Sequence, residues 1–418
     1  MSAEPKKPPI FYGWWIVGVT FIANFMSNGM GFYGWNAFLQ PLCKEHGWSR
    51  TAVNIAPALT IIGRLAQPYF GRLVNRFGPK SLMMICGCIS CASFALMGRA
   101  DKLWLFYLAA AILYVSNVGI NGLVPNAAVS NWFEKYRGKA LGISTSGISL
   151  SGALVPPLAL FLLTRVSLAN AYSIIALMSL AAILLSTGFF MKNKPEEHGM
   201  FPDGIAPEPH PTEPGKFINQ RPEPISGLKF IRTQAFWNIG FAYGLMIPGV
   251  VGVMSQLKPR FNDIGFSSEK AMLMMAITAL IGSGGKILWG WLCDRFDARK
   301  VVGCAILCQI AGLLVLTTGK SIFILSTFIV LFGLGMGGVM STIAVVTAEF
   351  FGRENFAKVY GYIALFLLFE SAGFIMMGQS FDLFGSYNYA YIGFVIFYTI
   401  ALVLILTARR PRLQNNTD

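Results

Sequence analysis

Long apolar runs fill most of this sequence and constrain its fold more than any other feature. A helix of about 20 apolar residues spans the hydrocarbon core of a bilayer and satisfies its own backbone polar groups there. Hydrophobic residues make up 55% of the 418 residues and charged residues only 12%, which is too few charges for the surface of a water-soluble chain of this size. The sequence therefore predicts an all-α membrane protein.

Charged residues, glycines and prolines divide the apolar runs into twelve predicted transmembrane helices. Six precede and six follow a polar, Pro-rich stretch. This division predicts an N-terminal bundle over 1–192, a linker over 193–232 with room for short helical pieces, and a C-terminal bundle over 233–418. The helices are predicted near 13–40, 51–74, 81–99, 103–130, 139–164, 168–191, 234–258, 269–292, 300–318, 321–349, 357–381 and 388–408.

The distribution of positive charge predicts how the chain is oriented. The formal net charge is +14, and most Lys and Arg residues fall in the loops that share a side with both termini. The positive-inside rule then places both termini and the linker in the cytoplasm. We expect a plasma membrane, and the compact loops are typical of a prokaryotic inner membrane. Because membrane orientation accounts for the basic balance, no nucleic-acid partner is expected.

Other sequence features argue against a metal, a cofactor or a catalytic centre. Most of the seven cysteines lie in apolar segments, as Cys86, Cys88 and Cys91 do. There they pack as small apolar groups and lack the His or carboxylate partners of a metal site. The sequence contains no nucleotide-binding loop and no nucleophile with an adjacent base. We expect no cofactor, no metal site and no enzymatic activity.

The two halves resemble each other in sequence, which supports the division independently. Residues 61–80, IIGRLAQPYFGRLVNRFGPK, align with residues 280–300, LIGSGGKILWGWLCDRFDARK. The alignment pairs Gly63 with Gly282, Gly71 with Gly290, Leu73 with Leu292 and Arg76 with Arg295. Duplicated halves with a site between them are the usual build of a secondary transporter. The sequence thus predicts two six-helix bundles related by a pseudo-two-fold axis.

The ends of these segments, GRLVNRFGPK and GWLCDRFDARK, resemble the G-x-L-x-D-R-x-G-R-R/K loop motif that follows helices 2 and 8 of major facilitator superfamily transporters. The resemblance covers essentially the whole chain. It implies a cytoplasmic gate, closed in the outward-facing state, in which Arg76 and Arg295 pair with carboxylates or helix C-termini and Asp294 is a further gating residue. Asn75 replaces the usual Asp in the first copy, which departs from the pattern.

A narrower resemblance lies at the start of predicted helix 5. Residues 131–152, NWFEKYRGKALGISTSGISLSG, are similar to the F-x-K-R-R-x-x-A-x-G-x-x-x-[AS]-G motif of the monocarboxylate transporters and the oxalate/formate group, with departures at Tyr136 and Gly138. In both groups a basic residue in helix 8 binds the substrate carboxylate, and the matching position here is Lys286. The oxalate/formate group has a second basic residue in helix 11, where this chain has Glu370.

Three ionisable side chains fall well inside the predicted helices: Arg64, Lys286 and Glu370. A charge in hydrocarbon is costly, so each must face protein, water or a partner. Lys286 is interpreted as a carboxylate anchor, with snorkelling toward the headgroups as the alternative. Glu370 is interpreted as a proton carrier, because burial favours its neutral form. Its alternative role is a structural ion pair, with Lys286 as one possible partner. Arg64 is interpreted as a gating or substrate contact, or as a partner of helix-end carbonyls.

Uncharged polar residues complete the predicted substrate site. Tyr114, Asn117 and Asn121 fall on one helix face at helical spacing, and Asn28 lies on predicted helix 1. Such groups do not face lipid cheaply, so they either hold helices together or bind substrate. All four are included in the predicted substrate site.

The predicted function is secondary active transport of a small organic anion. Proton-coupled symport of a monocarboxylate such as lactate, pyruvate or acetate is the leading hypothesis, and the resemblance implies that a monomer suffices. The partners are then the carboxylate, the proton and the lipid bilayer. An oxalate/formate-type or dicarboxylate antiporter is the alternative, which Arg64 favours and Glu370 disfavours. A drug efflux pump is more remote, because such a pump favours acidic residues in a roomy aromatic cavity.

Overall fold

The structure is a computed structural model that describes residues 11–206 and 227–411. The predicted cytoplasmic termini and residues 207–226 of the predicted linker lie outside the described residues. Within the described ranges, nine helices are long and apolar enough to cross a membrane. The chain is therefore an all-helical, multi-pass membrane protein.

Among the described residues, eight α-helices form the N-terminal half and seven form the C-terminal half. The N-terminal helices are α1 (Gly13–Asn28), α2 (Trp35–His46), α3 (Arg50–Ala58), α4 (Thr60–Met97), α5 (Leu103–Asn117), α6 (Leu123–Trp132), α7 (Arg137–Leu163) and α8 (Leu168–Phe190). The C-terminal helices are α9 (Gln234–Asp263), α10 (Ser268–Cys293), α11 (Ala298–Thr318), α12 (Ile322–Phe351), α13 (Phe356–Ile363), α14 (Glu370–Phe384) and α15 (Asn388–Thr407). Aromatic side chains such as Trp132, Tyr172, Tyr243 and Phe328 are fully buried between them.

Several helices begin where the sequence supplies a hydroxyl cap. The side chains of Ser49, Ser167, Thr233 and Ser321 each accept a hydrogen bond from a backbone N–H in the first turn that follows. These bonds satisfy amides that have no partner within the helix. Hydroxyl caps between apolar runs therefore mark helix starts in both halves.

Four of the predicted helices are interrupted. A π-helical turn (Gly29–Tyr33) separates α1 from α2, and a 3-10 helix (Ala364–Phe369) separates α13 from α14. Leu59 separates α3 from α4. Between α5 and α6 the chain leaves the helix at 118–122, where Gly122 has a φ of 63°, a left-handed conformation that glycine adopts without steric cost.

At Gly78, by contrast, two predicted helices are joined. Gly78 has a φ of 74° and a ψ of 161° within the continuous stretch α4, which joins the second and third predicted helices across a kink. This junction, together with the breaks in the first and fourth predicted helices, explains why nine rather than twelve continuous helices have span length. The count of twelve crossings stays a prediction.

The two halves meet along two seams that pack backbone against backbone. In the first seam α4 packs on α13 and on the 3-10 helix that follows it, and in the second α7 packs on α10. A Cβ atom added to Gly71 would overlap the carbonyl oxygen of Ala357, and one added to Gly138 would overlap that of Gly290. Glycine at these positions therefore permits the close approach of the seams.

Loops from both halves meet at one end of the molecule, which we call the linker side. It comprises residues 75–80, 131–137, 192–205 and 294–297, and the 352–355 turn. The described inter-half hydrogen bonds and ion pairs run from this end up to Arg64 and Ser149. The structure therefore shows a transporter-like pair of halves with its linker side closed.

Candidate functional site

An ion pair crosses the first seam where α4 meets the start of α14. Arg64 Nη2 lies 3.1 Å from Glu370 Oε2, and the two side chains keep 26% and 19% of their surface exposed. Glu370 is the first residue after the 3-10 helix, so the interruption of the helix places its carboxylate against Arg64. The suggestion that Lys286 is the partner of Glu370 is wrong, because Arg64 occupies that role on a different seam.

Lys286 is buried in the second seam, with only 4% of its surface exposed. Its Nζ donates to the Thr145 carbonyl oxygen at 3.2 Å and to Ser149 Oγ at 2.9 Å. Both acceptors are neutral, and within the described residues no carboxylate lies within ion-pair distance of Nζ. The ammonium is thus hydrogen-bonded but not neutralised, which is costly in a low-dielectric interior unless an anion binds. Nζ points into the seam, so the alternative of snorkelling does not describe this state.

The internal repeat shows that the two seams are built differently. In the 61–80 and 280–300 alignment, Lys286 corresponds to Gln67 and Arg64 corresponds to Ser283. Gln67 is also buried, and Ser283 Oγ donates to the Ser146 carbonyl oxygen at 3.3 Å. Arg64 lies three residues before the Lys286 level, or about 4.5 Å farther from the linker side along a helix. One seam therefore carries a neutral ion pair and the other carries a single cation.

The predicted neutral lining is only partly brought together. Tyr114 and Asn117 lie on α5 beside the π-helical turn, where Tyr114 Oη donates to the Gly31 carbonyl oxygen at 2.9 Å. Asn117 is 8% exposed, and its Oδ1 has no partner among the described residues. Asn28 donates to the Asn24 carbonyl oxygen in its own helix. Asn121 lies in the break after α5, so its predicted place on the same helical face as Tyr114 and Asn117 is wrong.

Asn24, Tyr114 and Asn28 mainly satisfy backbone groups. Asn24 is fully buried and bridges Ser144 and the Gly122 amide within the N-terminal half. These contacts hold together the helix breaks at 29–33 and 118–122, because both breaks leave backbone groups without helical partners. Asn117 differs from these three residues, because its buried Oδ1 accepts no hydrogen bond within the described residues.

On the linker side, Asp294 follows α10 and joins the two halves. Its two carboxylate oxygens accept hydrogen bonds from the backbone N–H groups of Gly138 at 2.5 Å and Lys139 at 2.8 Å. These amides belong to the first turn of α7, so a carboxylate of the C-terminal half caps a helix of the N-terminal half. Burial raises the pKa of Asp294 to about 6, against the lowering effect of these two hydrogen bonds.

Arg76 and Arg295 do not make the gate contacts that the motif implies. Arg76 lies 5.1 Å from the centre of the Phe77 ring, and Arg295 lies 4.3 Å from a Trp291 ring. Both are exposed, and within the described residues neither guanidinium contacts a carboxylate. Of the four predicted gating residues, Arg64 and Asp294 are therefore the two that join the halves.

Acidification is expected to favour the closed linker side. The pKa of Asp294 is about 6 in the closed state, and opening would return it to near the ordinary Asp value of about 3.9. Asp294 therefore binds a proton more tightly in the closed state than in the open state. The closed state gains stability relative to the open state at low pH and loses it as the pH rises through 6. We expect the open fraction to fall several-fold between pH 7 and pH 5.

Electron–electron distance measurements between spin labels at Phe77→Cys and Phe296→Cys, with the exposed Cys88 and Cys304 changed to Ser, would report this shift. Both phenylalanines are exposed on the linker side, one in each half. The pH dependence should disappear in Asp294→Asn. A shift of unchanged size in that variant would assign the dependence to another group.

Sequence reasoning missed Arg353, which lies between α12 and α13. Its side chain is 6% exposed, although it belongs to a polar turn. It donates to the Asn131 carbonyl oxygen at 3.0 Å and pairs with Glu196. Thr145 and Ser149 were also missed as Lys286 partners. Their regular spacing in a Ser/Thr-rich helix was a usable signal, because such hydroxyls face helix interfaces.

The chain matches the Major Facilitator Superfamily model over residues 20–288 and 256–418. It is 24% identical over 356 residues to the oxalate:formate antiporter of Oxalobacter formigenes, which covers 84% of this chain and 80% of that protein. Over 300 residues it is 23% identical to monocarboxylate transporter 13 of Bos taurus, which covers 70% of this chain and 64% of that protein.

Solved structures agree in fold. The human organic anion transporter MFSD10 has a TM-score of 0.72 at 17% identity, over 96% of this chain and 100% of that chain. The transporter FucP in its outward conformation has a TM-score of 0.71 at 15% identity, over 96% of this chain and 99% of that chain. With the repeated halves and the intramembrane charges, these matches show that the chain belongs to the major facilitator superfamily of membrane transporters.

Proposed function

We propose that this protein is a proton-coupled symporter of a small monocarboxylate such as lactate, pyruvate or acetate. The observation that carries the proposal is the asymmetry of the seams, with a lone buried cation at Lys286 and a neutral Arg64–Glu370 pair opposite. A lone ammonium in a low-dielectric site attracts a single carboxylate. The similarity to monocarboxylate transporter 13 supports the same substrate class.

Charge balance explains how the proton is coupled. With Glu370 ionised, Arg64, Lys286 and Glu370 sum to one positive charge. When one monocarboxylate binds and one proton neutralises Glu370, the sum is again one positive charge. The switch between states therefore has the same electrostatic cost for the empty site as for the fully loaded site. Binding of the anion or the proton alone changes the sum, so partly loaded forms switch less readily.

The contacts in the two seams explain how access to the site alternates between the two sides of the membrane. The linker side is closed by backbone contacts at the glycine positions and by the Asp294 cap, and Arg64 and Glu370 lie where the closed interface ends. In our proposal the substrate enters from the opposite side, and the halves then rock about this level to open the linker side. The positive-inside rule places the linker side in the cytoplasm of a plasma membrane, with both termini there.

The direct test is uptake of labelled lactate into proteoliposomes with and without an inward proton gradient. We expect accumulation only with the gradient, together with alkalinisation of the outer medium as protons enter. Unlabelled pyruvate and acetate would rank the substrates by competition. Uptake that ignores the gradient and instead requires an internal anion would overturn symport.

An anion antiporter is the second candidate function. The oxalate:formate antiporter is among the relatives, and Arg64 and Lys286 together offer two cations if Glu370 is displaced from Arg64. A dicarboxylate would then occupy both seams. The same proteoliposomes, loaded with oxalate or formate and given no proton gradient, decide between the two mechanisms.

A further inference from the structure

We propose that residues 192–205, here called the strap, form a latch that holds the linker side closed and sets how readily it opens. The strap is the start of the predicted linker and contains two 3-10 helices, Glu196–His198 and Pro202–Gly204. The proposal uses the opening of the linker side invoked in the proposed function, but it does not depend on the substrate or on the proton.

The beginning of the strap is fixed to the N-terminal half through its backbone. Trp132 Nε1 donates to the Lys192 carbonyl oxygen at 3.0 Å, and Asn131 Nδ2 donates to the Asn193 carbonyl oxygen at 3.2 Å. Asn193 Oδ1 in turn accepts from the backbone N–H of Lys80 at 3.0 Å. Through these contacts the strap packs against the Gly78 kink of α4 and the linker-side end of α6.

The end of the strap is fixed by Asp203. Its carboxylate accepts from three consecutive backbone N–H groups, those of Glu134 at 2.8 Å, Lys135 at 2.6 Å and Tyr136 at 3.2 Å. Asp203 has a φ of 57°, which no other non-glycine residue in the described ranges matches in sign. This left-handed conformation is unfavourable for a residue with a Cβ atom. Three charge-assisted hydrogen bonds offset that cost, so the strap is anchored at both ends.

Between these anchors the strap meets the C-terminal half at Arg353. This guanidinium pairs with Glu196 of the strap, donates to the Asn131 carbonyl oxygen and lies 3.8 Å from Glu134. The strap also brings Lys194 to 4.0 Å from Glu354. Arg353 is therefore held between the strap and the 131–134 loop, and opening of the linker side must withdraw it.

The latch lies on the seam where the internal repeat lacks a charged residue equivalent to Asp294. On the second seam Asp294 caps α7 with a carboxylate. The equivalent residue on the first seam is Asn75, which is exposed and carries no charge. Arg353 lies just before α13, the helix that packs on α4 in that same seam. The strap thus supplies, through Glu196 and Arg353, a charged closure on the seam where the repeat lacks one.

Removal of the Glu196 charge is expected to open the linker side. In Glu196→Gln the buried Arg353 keeps only weaker partners, and loss of one charge-assisted bond shifts the open-to-closed ratio by about tenfold. The distance between spin labels at 77 and 296, measured without substrate at pH 7, reports that ratio. Asp203→Asn should shift it in the same direction, because the far anchor of the strap is weakened.

Glu197→Gln is the matched control, since Glu197 is the next residue, is exposed and undergoes the same chemical change. Its distance distribution should equal that of the wild type. The exchanged pair Glu196→Arg with Arg353→Glu should recover part of the closed population. If Glu196→Gln and Asp203→Asn both remain folded in detergent and keep the wild-type distribution, the latch is refuted. Failure of lactate uptake in the wild type would refute the proposed substrate and leave this result unaffected.

Discussion

Replacement of Lys286 by alanine is expected to lower carboxylate uptake by about 100-fold or more. Truncation of one partner of a buried charge pair typically costs about 2–5 kcal/mol, and each 1.4 kcal/mol is about tenfold in affinity. Lys286 is the buried cation that the described residues leave without a carboxylate, so its loss removes the attraction for the substrate anion. Initial rates in proteoliposomes under a fixed proton gradient measure the effect.

Lys270→Ala supplies the matched control, because Lys270 lies on the same helix but is exposed. It should transport like the wild type. Lys286→Arg keeps the charge and should retain measurable binding, although the guanidinium is larger than the ammonium that lies between Thr145 and Ser149. Wild-type uptake by a folded Lys286→Ala protein would show that the anion is bound elsewhere.

Glu370→Gln is expected to separate exchange from accumulation. The amide can still accept a hydrogen bond from Arg64, so the seam keeps its shape, but it cannot bind and release a proton. The variant therefore permanently resembles the form in which Glu370 is protonated. Without substrate, its site carries one more positive charge than the empty wild-type site, and this charge opposes the return of the empty transporter. Proton-driven accumulation should disappear, while exchange of labelled for unlabelled substrate across the membrane should continue near the wild-type rate.

The control for this experiment is Glu269→Gln, an exposed carboxylate in the same half. Accumulation and exchange should both persist in that variant. If Glu370→Gln accumulates substrate along a proton gradient as the wild type does, the Arg64–Glu370 pair is a structural contact and another group carries the proton. If both activities fall together, the pair is needed for switching itself.

The residues that carry these predictions were visible in the sequence for a simple reason. A charge inside an apolar run stands out because its burial is costly, and Arg64, Lys286 and Glu370 are such charges. The internal repeat was also readable, since glycines recur at the positions where helices must approach closely. Charged residues, glycines and prolines between the apolar runs likewise marked most helix ends within a few residues.

Local sequence patterns did not predict where a helix breaks or where a polar turn is buried. Asn121 has the spacing of a helical neighbour of Asn117, yet α5 ends at Asn117 and Asn121 lies in the turn that precedes α6. Arg353 lies in a polar turn, a type of segment that is normally exposed to solvent, yet the strap and the 131–134 loop cover it. In both cases the outcome depends on contacts with segments distant in sequence, which periodicity does not encode.

Hydrophobicity and desolvation act residue by residue, so the amino-acid sequence alone identifies a membrane protein of two repeated halves with three costly charges inside them. How those charges pair depends on the tertiary structure. Arg64 meets Glu370 across 306 residues, and Lys286 meets Ser149 across 137. Which seam receives each charge is set by the packing of glycine-lined helices against each other, and this packing leaves one cation free to attract an anion.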